Sequence, residues 1–185
     1  MTRKVKPVAP GSTANTESMI RVVHAGEYGA VRIYEGQLAV LKRRGGTEHS
    51  VETIRHMAEQ EQRHLEAFDR LVNERRVRPT ALEPVWRIAG FALGAATAAL
   101  GEKAAFACTA AVEEVIDEHY AAQIAALEDG KDPALKAAVE DFRADEAAHR
   151  DTALKEGAEQ APGYRLLSET IKVGCRLAIK LSERI

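Results

Sequence analysis

One set of chemically capable residues occurs twice in this sequence, in the same order and at nearly the same spacing. Each copy has a glutamate, a tyrosine seven residues later, and further on a glutamate and a histidine in the pattern Glu-x-x-His. The first copy comprises Glu27, Tyr34, Glu61 and His64, and the second comprises Glu113, Tyr120, Glu146 and His149. Carboxylate-bridged di-iron and di-manganese centres in four-helix bundles use two single glutamates and two such Glu-x-x-His pairs. The repeated pattern therefore predicts a dinuclear metal centre.

The spacing within each copy suits a pair of antiparallel helices. Residues three apart lie on nearly the same face of a helix, so Glu61 and His64 can bind one ion, as can Glu146 and His149. The first glutamate of each copy precedes its Glu-x-x-His by 33 or 34 residues, which allows a helix, a turn and a return to a similar height. Four carboxylates and two imidazoles suit iron or manganese. Carboxylates on a solvated helix surface are the alternative, and the matched upstream residues argue against it.

Other residues are candidates for supporting this centre. Metal-bound histidines usually donate their second ring N–H to a carboxylate or carbonyl group, and Asp145 could accept it, although a surface charge is the alternative. Gln60 takes the equivalent place in the first copy, so the two histidines could be tuned differently. We interpret Tyr34 and Tyr120 as hydrogen-bonding supports, with a plain core tyrosine as the alternative. His119 is a candidate for lining the substrate path or relaying protons.

The elements that must position these residues are all predicted to be helices. Aromatic residues make up only 5% of the chain, and no segment alternates in hydropathy as a strand does. Glycine and proline breaks predict helices over residues 16–44, 47–76, 102–127, 133–156 and 164–182. The longest link joins the second and third helices, as the crossover of a ferritin-like bundle does. The predicted fold is therefore all-α: a ferritin-like four-helix bundle with an apolar crossover helix between bundle helices 2 and 3 and an extra C-terminal helix.

The crossover segment has an unusual composition. Residues 88–100 contain no charged side chain, but this run is shorter than the ~20 residues that span a bilayer. Trp86 and four arginines between residues 75 and 87 precede it, as is typical of a helix that lies on a membrane surface. We therefore predict membrane contact through Trp86, Phe91 and Leu93. The alternative is a helix buried against the bundle through its Gly-x-x-x-Gly spacing; the two are compatible if one face packs and the other meets lipid.

Length, charge and cysteine content limit the remaining possibilities. The chain has 185 residues and a formal charge of −2, which suits one domain and gives no general case for binding nucleic acid. Cys108 and Cys175 form neither a C-x-x-C pair nor a disulfide framework. Residues 1–15 combine basic residues with proline and glycine and lack an apolar run. They are predicted to be a disordered lead-in to a domain over residues 16–185, not a signal peptide, with a short basic transit peptide as the alternative.

Several segments resemble the demethoxyubiquinone hydroxylase family of ubiquinone biosynthesis. These segments are HAGEYGA at residues 24–30, RIY at 32–34, VRPT at 77–80, GFALG at 90–94, CT at 108–109, VEE at 112–114, CR at 175–176 and LSER at 181–184. The resemblance covers residues 18–184. It places Glu27, Glu61, His64, Glu113, Glu146 and His149 at the six metal-ligand positions of the family.

The resemblance implies a di-iron monooxygenase that uses dioxygen to hydroxylate the ring of demethoxyubiquinol, giving demethylubiquinol. Two iron ions would be its cofactor, and its partners would be a polyprenylated quinol, the membrane surface and other proteins of a ubiquinone-biosynthesis complex. The short N-terminal segment predicts a peripheral protein on the cytoplasmic side of a bacterial inner membrane, because mitochondrial members carry a transit peptide. A ferritin-type ferroxidase or iron-storage protein, a manganese catalase and a metal-free structural bundle are the alternatives that the residues leave open.

Overall fold

The described part of the chain folds into six α-helices and one short 3₁₀ helix. The computed structural model describes residues 10–127, 130 and 132–185, and the predicted disorder of residues 1–9 lies outside them. The helices are α1 (Pro10–Arg44), α2 (Glu48–Glu74), α3 (Glu83–Ala99), α4 (Glu102–Ala126), α5 (Pro133–Lys155) and α6 (Tyr164–Ser182), with the 3₁₀ helix at Ala158–Gln160. The predicted all-α class is confirmed, although α1 begins six residues before its predicted start at Thr16.

Helices α1, α2, α4 and α5 form the four-helix bundle. Helix α1 packs against α2, and α4 packs against α5, since short connections make consecutive helices antiparallel neighbours. Helix α3 is the crossover between the two pairs and packs mainly against α1, while α6 packs against α4. This arrangement gives the bundle one repeat of the ligand pattern in each helix pair.

Local interactions fix where the bundle helices begin and end. Gly45, with a φ of 75°, ends α1 in the left-handed region that glycine adopts without strain. The Thr47 hydroxyl caps α2 by accepting a hydrogen bond from the Ser50 backbone N–H at 3.2 Å. The Ser50 hydroxyl in turn donates to the Glu102 carboxylate at 2.7 Å. Because Glu102 opens α4, this link ties the starts of two bundle helices together.

Helix α3 approaches α1 so closely that only glycine fits at the crossing. A Cβ added at Gly94 would lie 1.9 Å from the Ile33 carbonyl oxygen, and one added at Gly36 would lie 2.2 Å from the Phe91 carbonyl oxygen. These distances agree with the alternative interpretation of this segment, a helix that packs against the bundle through its Gly-x-x-x-Gly spacing. The opposite side of α3 remains exposed. No helix in the described ranges is both long and apolar enough to cross a membrane.

The three residues predicted to contact a membrane are half-buried against the protein. The Trp86 indole N–H donates to the Ser182 hydroxyl at 3.0 Å, the Arg32 guanidinium lies 5.3 Å from the centre of the Phe91 ring, and Leu93 packs against a core cluster. The exposed apolar residues lie elsewhere on this side of the molecule. They are Val85, Ile88 and Leu100 at α3, and Leu166, Val173 and Leu177 on α6. The rotation of α3 imposed by its glycines turns Trp86 and Leu93 inward.

Candidate metal centre

The six predicted ligands meet in the middle of the bundle. Glu27 comes from α1, Glu61 and His64 from α2, Glu113 from α4, and Glu146 and His149 from α5. Each of them is at most 2% exposed. Four carboxylates and two imidazoles thus share one enclosed volume that the helix spacing predicted.

The six residues form two overlapping groups that could each hold a cation. Glu27 and His64 belong to one group, Glu113 and His149 belong to the other, and Glu61 and Glu146 belong to both. Ligand atoms within each group lie within 4.8 Å of one another. Two ion positions with two shared carboxylates are the arrangement of a carboxylate-bridged dinuclear centre.

Both histidines turn the same ring nitrogen towards the carboxylates. His64 Nδ1 lies 3.3 Å from Glu146 Oε1 and 3.5 Å from Glu27 Oε2. His149 Nδ1 lies 2.9 Å from Glu61 Oε1 and 3.5 Å from Glu146 Oε2. The Nδ1 atoms are therefore the nitrogen donors of the cluster, and the Nε2 atoms point away from it.

Many polar atoms of this cluster are buried without a hydrogen bond to the described residues. They are Glu27 Oε2, Glu113 Oε2, both carboxylate oxygens of Glu61 and of Glu146, and Nδ1 of His64 and of His149. Buried polar groups are normally paired, and unpaired buried carboxylates are costly. Bound cations would satisfy all of these atoms at once. The donor set of four carboxylates and two imidazoles therefore fits the metal that the sequence pattern implies.

Burial and the closeness of like charges shift the pKa values of the cluster residues. Burial raises the pKa of Glu61 to about 8, and burial with the neighbouring Glu146 and Glu61 charges raises that of Glu113 well above its usual value. Burial lowers the pKa of His64, but the nearby carboxylates of Glu146 and Glu27 outweigh this effect and raise it to about 11. Binding of a cation to these residues would therefore release protons.

The outer nitrogen of each histidine is held by a residue from the other half of the bundle. His64 Nε2 lies 3.0 Å from Asp145 Oδ2, and His149 Nε2 lies 3.1 Å from Gln60 Oε1. The predicted supporting role of Asp145 agrees with this contact, as does the different support of the two histidines. The sequence did not specify that these contacts run between the two halves. A residue of α5 supports the histidine of α2, and a residue of α2 supports the histidine of α5.

The two tyrosines also form hydrogen bonds between the two halves of the bundle. The Tyr34 hydroxyl on α1 donates to Glu113 Oε1 at 2.9 Å, and the Tyr120 hydroxyl on α4 donates to Glu27 Oε1. Both rings are fully buried. The predicted hydrogen-bonding role agrees with these contacts, although each tyrosine supports the glutamate of the opposite copy rather than its own.

His119 lies apart from these contacts. Its Nε2 accepts a hydrogen bond from the Gln123 amide at 2.8 Å, and it lines a second pocket with Ser18 and Glu183. Burial lowers its pKa. The described contacts do not link His119 to any of the six ligands, because its position on α4 points away from Glu113.

Sequence reasoning missed one neighbour of the cluster. The Phe142 ring stacks on the His64 imidazole, with ring centres 4.2 Å apart and planes 27° apart. Phe142 lies four residues before Glu146, on the same face of α5. That helical spacing was the signal that could have identified it.

An apolar cavity of about 410 Å³ lies between α1, α3, α4 and α6. Small residues form much of its wall, including Gly26 and Gly29 on α1 and Gly174 on α6. A Cβ added at any of these three glycines would meet nothing within 4 Å. Gly26 precedes Glu27 on α1 and the lining residue Val112 precedes Glu113 on α4, so the cavity is lined by two of the helices that carry ligands.

Comparison with known proteins agrees with this geometry. Residues 14–182 match the family model described as ubiquinone biosynthesis protein COQ7. The chain is 54% identical to the 3-demethoxyubiquinol 3-hydroxylase of Rhodospirillum rubrum, over 97% of this chain and 82% of that protein. It is 48% identical to the human mitochondrial NADPH-dependent 3-demethoxyubiquinone 3-hydroxylase, over 94% of this chain and 80% of that protein. With its buried Glu and His cluster inside a helical bundle, the chain belongs to the ubiquinone biosynthesis protein COQ7 family.

Proposed function

We propose that this protein is a di-iron monooxygenase that hydroxylates the ring of demethoxyubiquinol with dioxygen in ubiquinone biosynthesis. The observation that carries the proposal is the pair of overlapping Glu and His groups that share Glu61 and Glu146. The names of the relatives supply the reaction class. An apolar cavity lined by α1 and α4, which each carry a ligand, favours a lipid substrate over the iron storage of a ferritin.

Each of the six residues has a defined task in this proposal. Glu27 and His64 would hold one iron, Glu113 and His149 would hold the other, and the two shared glutamates would bridge them. When bound, the reduced di-iron pair supplies the activation of dioxygen. The protein positions these ligands through the tyrosine hydroxyls and the outer histidine contacts, and the bundle excludes water from the cluster.

The cavity has the properties required of a site for the quinol. Its wall is almost entirely apolar, and the three glycines leave open space where side chains could stand. Glycine in a helix interior costs about 1 kcal/mol relative to alanine, and here no close backbone approach accounts for that cost. We assign the space to the substrate, with its ring beside Glu27 and Glu113 and its polyprenyl tail leading away between α3 and α6.

The outer surface around the cavity suits contact with a membrane. Exposed Ile88 on α3 and exposed Val173 and Leu177 on α6 flank the residues that line it. The neighbouring cation Arg87 suits anionic lipid headgroups. We propose peripheral binding at the inner membrane of a bacterium, on the cytoplasmic side, so that the quinol tail can remain in the bilayer.

A single-turnover experiment tests the proposed reaction. The protein is loaded anaerobically with ferrous iron, given a short-tailed demethoxyubiquinol, and exposed to ¹⁸O₂. We expect about two irons per chain and a hydroxylated product that carries one ¹⁸O atom. Glu113→Ala and His149→Ala should abolish the product, whereas Glu114→Ala should not, because Glu114 is partly exposed and pairs with Lys172. Full activity of either ligand variant, or oxygen derived from water, would refute the proposal.

A further inference from the structure

We infer that the two ion positions are inequivalent, and that Asp145 makes the position of Glu27 and His64 the tighter one. The inference rests on the proposed dinuclear function and goes beyond it, because it assigns different properties to two positions with the same ligand types. Asp145 and Gln60 act as positioning residues in this inference, since neither belongs to the six ligands.

The hydrogen bonds at the outer nitrogens of the two histidines have nearly the same length, but their acceptors differ in charge. Both histidines present Nδ1 to the cluster, so Nε2 carries the proton when a cation is bound. His64 donates that proton to a carboxylate at 3.0 Å, and His149 donates it to a neutral amide oxygen at 3.1 Å. The geometry is therefore nearly matched, and the charge of the acceptor differs.

The glutamates of the two positions do not show a comparable difference. Glu27 accepts a hydrogen bond from Tyr120, and Glu113 accepts one from Tyr34. Both partners are neutral hydroxyls on fully buried rings. The outer hydrogen bonds of the described residues therefore distinguish the positions mainly through Asp145 and Gln60.

A carboxylate acceptor makes an imidazole a stronger donor to a cation. Hydrogen bonds to an ionised group are about twice as strong as neutral ones, and such partners raise the basicity of a metal-bound histidine. Removing one typically costs about 10–100-fold in metal affinity. We therefore expect the position at His64 to bind its ion about 10–100-fold more tightly than the position at His149.

The charged surroundings of Asp145 do not cancel this effect. Arg63 Nη2 lies 3.8 Å from Asp145 Oδ2, but the Arg63 side chain is 65% exposed, so solvent screens the pair. On the cluster side, the Phe142 ring stacks on His64 and limits access of water to it. Neither neighbour replaces the Asp145 carboxylate as the acceptor at His64 Nε2.

Cobalt titration of the whole chain tests the inference without measuring activity. Co²⁺ is added anaerobically to the metal-free protein, and binding is followed by absorption and calorimetry. The unaltered chain should bind two ions in separate steps that differ about 10–100-fold in affinity. Asp145→Asn should weaken the first step about 10-fold or more and bring the two steps together. Gln60→Glu, the matched variant, should tighten the second step and also bring the two steps together.

Single-position variants identify which site responds. His149→Ala retains the position at His64, and His64→Ala retains the other; helical content by circular dichroism checks that both fold. Asp145→Asn should weaken binding in the His149→Ala background and leave it unchanged in the His64→Ala background. Two equal steps in the unaltered chain, or equal weakening in both backgrounds, would overturn the inference. Failure of the unaltered chain to bind any metal would instead overturn the proposed function.

Discussion

The same substitution at two helix glycines should change the stability of this protein in opposite directions. Gly29 lies within α1 and Gly94 lies within α3, where alanine is favoured over glycine by about 1 kcal/mol. A Cβ at Gly29 would meet nothing within 4 Å, because this position faces the apolar cavity. Gly29→Ala should therefore raise the free energy of unfolding by about 1 kcal/mol and the Tm by about 2–4 °C.

At Gly94 the close approach of α1 outweighs the gain in helix propensity. A Cβ there would lie 1.9 Å from the Ile33 carbonyl oxygen and 2.7 Å from its carbonyl carbon. Backbone atoms cannot rotate away as a flexible side chain can, so α3 would have to shift. Overpacking of this kind costs about 1–3 kcal/mol or more. Gly94→Ala should therefore lower the free energy of unfolding, by up to about 2 kcal/mol net of the helix gain.

Urea denaturation of the metal-free variants, followed by circular dichroism, measures both changes. A destabilised Gly29→Ala variant, or a Gly94→Ala variant as stable as the unaltered chain, would refute the packing described for these positions.

Gly29→Leu extends the test to the proposed substrate site. It should reduce the quinone retained by the protein while its iron content stays unchanged, and unchanged quinone retention would contradict the assignment of the cavity.

Three further predictions concern protons, metal and membrane. In the metal-free protein, the pKa values of Glu61 at about 8, His149 at about 9 and His64 at about 11 lie above those of the unfolded chain, so the folded state binds more protons. Its stability should therefore fall as the pH rises from about 5 to 9, as urea titrations at several pH values would measure; constant stability would contradict it. Saturating Co²⁺ should raise the Tm and reduce this pH dependence, because the metal replaces the protons; an unchanged Tm would count against a metal centre. Ile88→Glu and Leu177→Glu should weaken sedimentation of the protein with anionic vesicles without changing its metal content. The control Leu154→Glu, at an exposed apolar residue of α5, should leave sedimentation unchanged. Equal binding by all three variants would argue against this membrane surface.

Most of the fold could be predicted from the sequence because glycine and proline mark the helix ends. Gly45, Gly101 and Gly163 all have positive φ values at or next to a helix boundary. The start of α1 was predicted less well, because Pro10 and Gly11 were interpreted as helix breakers, whereas proline is tolerated in the first turn of a helix. Helix ends that depend on a local turn residue can thus be predicted from the sequence, and those that depend on small differences in helix propensity cannot.

The six ligands could be predicted because their spacing follows the period of a helix, but their supporting contacts could not. Which residue faces His64 depends on how the two helix pairs are placed against each other, and no local pattern encodes that placement. The rotation of α3 about its own axis could not be predicted from the sequence either. Composition identified α3 as an apolar segment, but not which of its faces packs: close packing through Gly90 and Gly94 turns Leu93 inward and leaves Ile88 exposed.

The crossed contacts of the two halves also bear on how such a centre could arise. If two identical half-chains assembled as a symmetric dimer, symmetry would give both histidines the same outer partner. Joining the halves into one polypeptide removes that restriction, because each copy can then change alone. Asp145 and Gln60 occupy equivalent places in the two copies and yet differ in charge. Covalent fusion thus allows a duplicated scaffold to give its two ions different environments, which a dimer of identical halves cannot do.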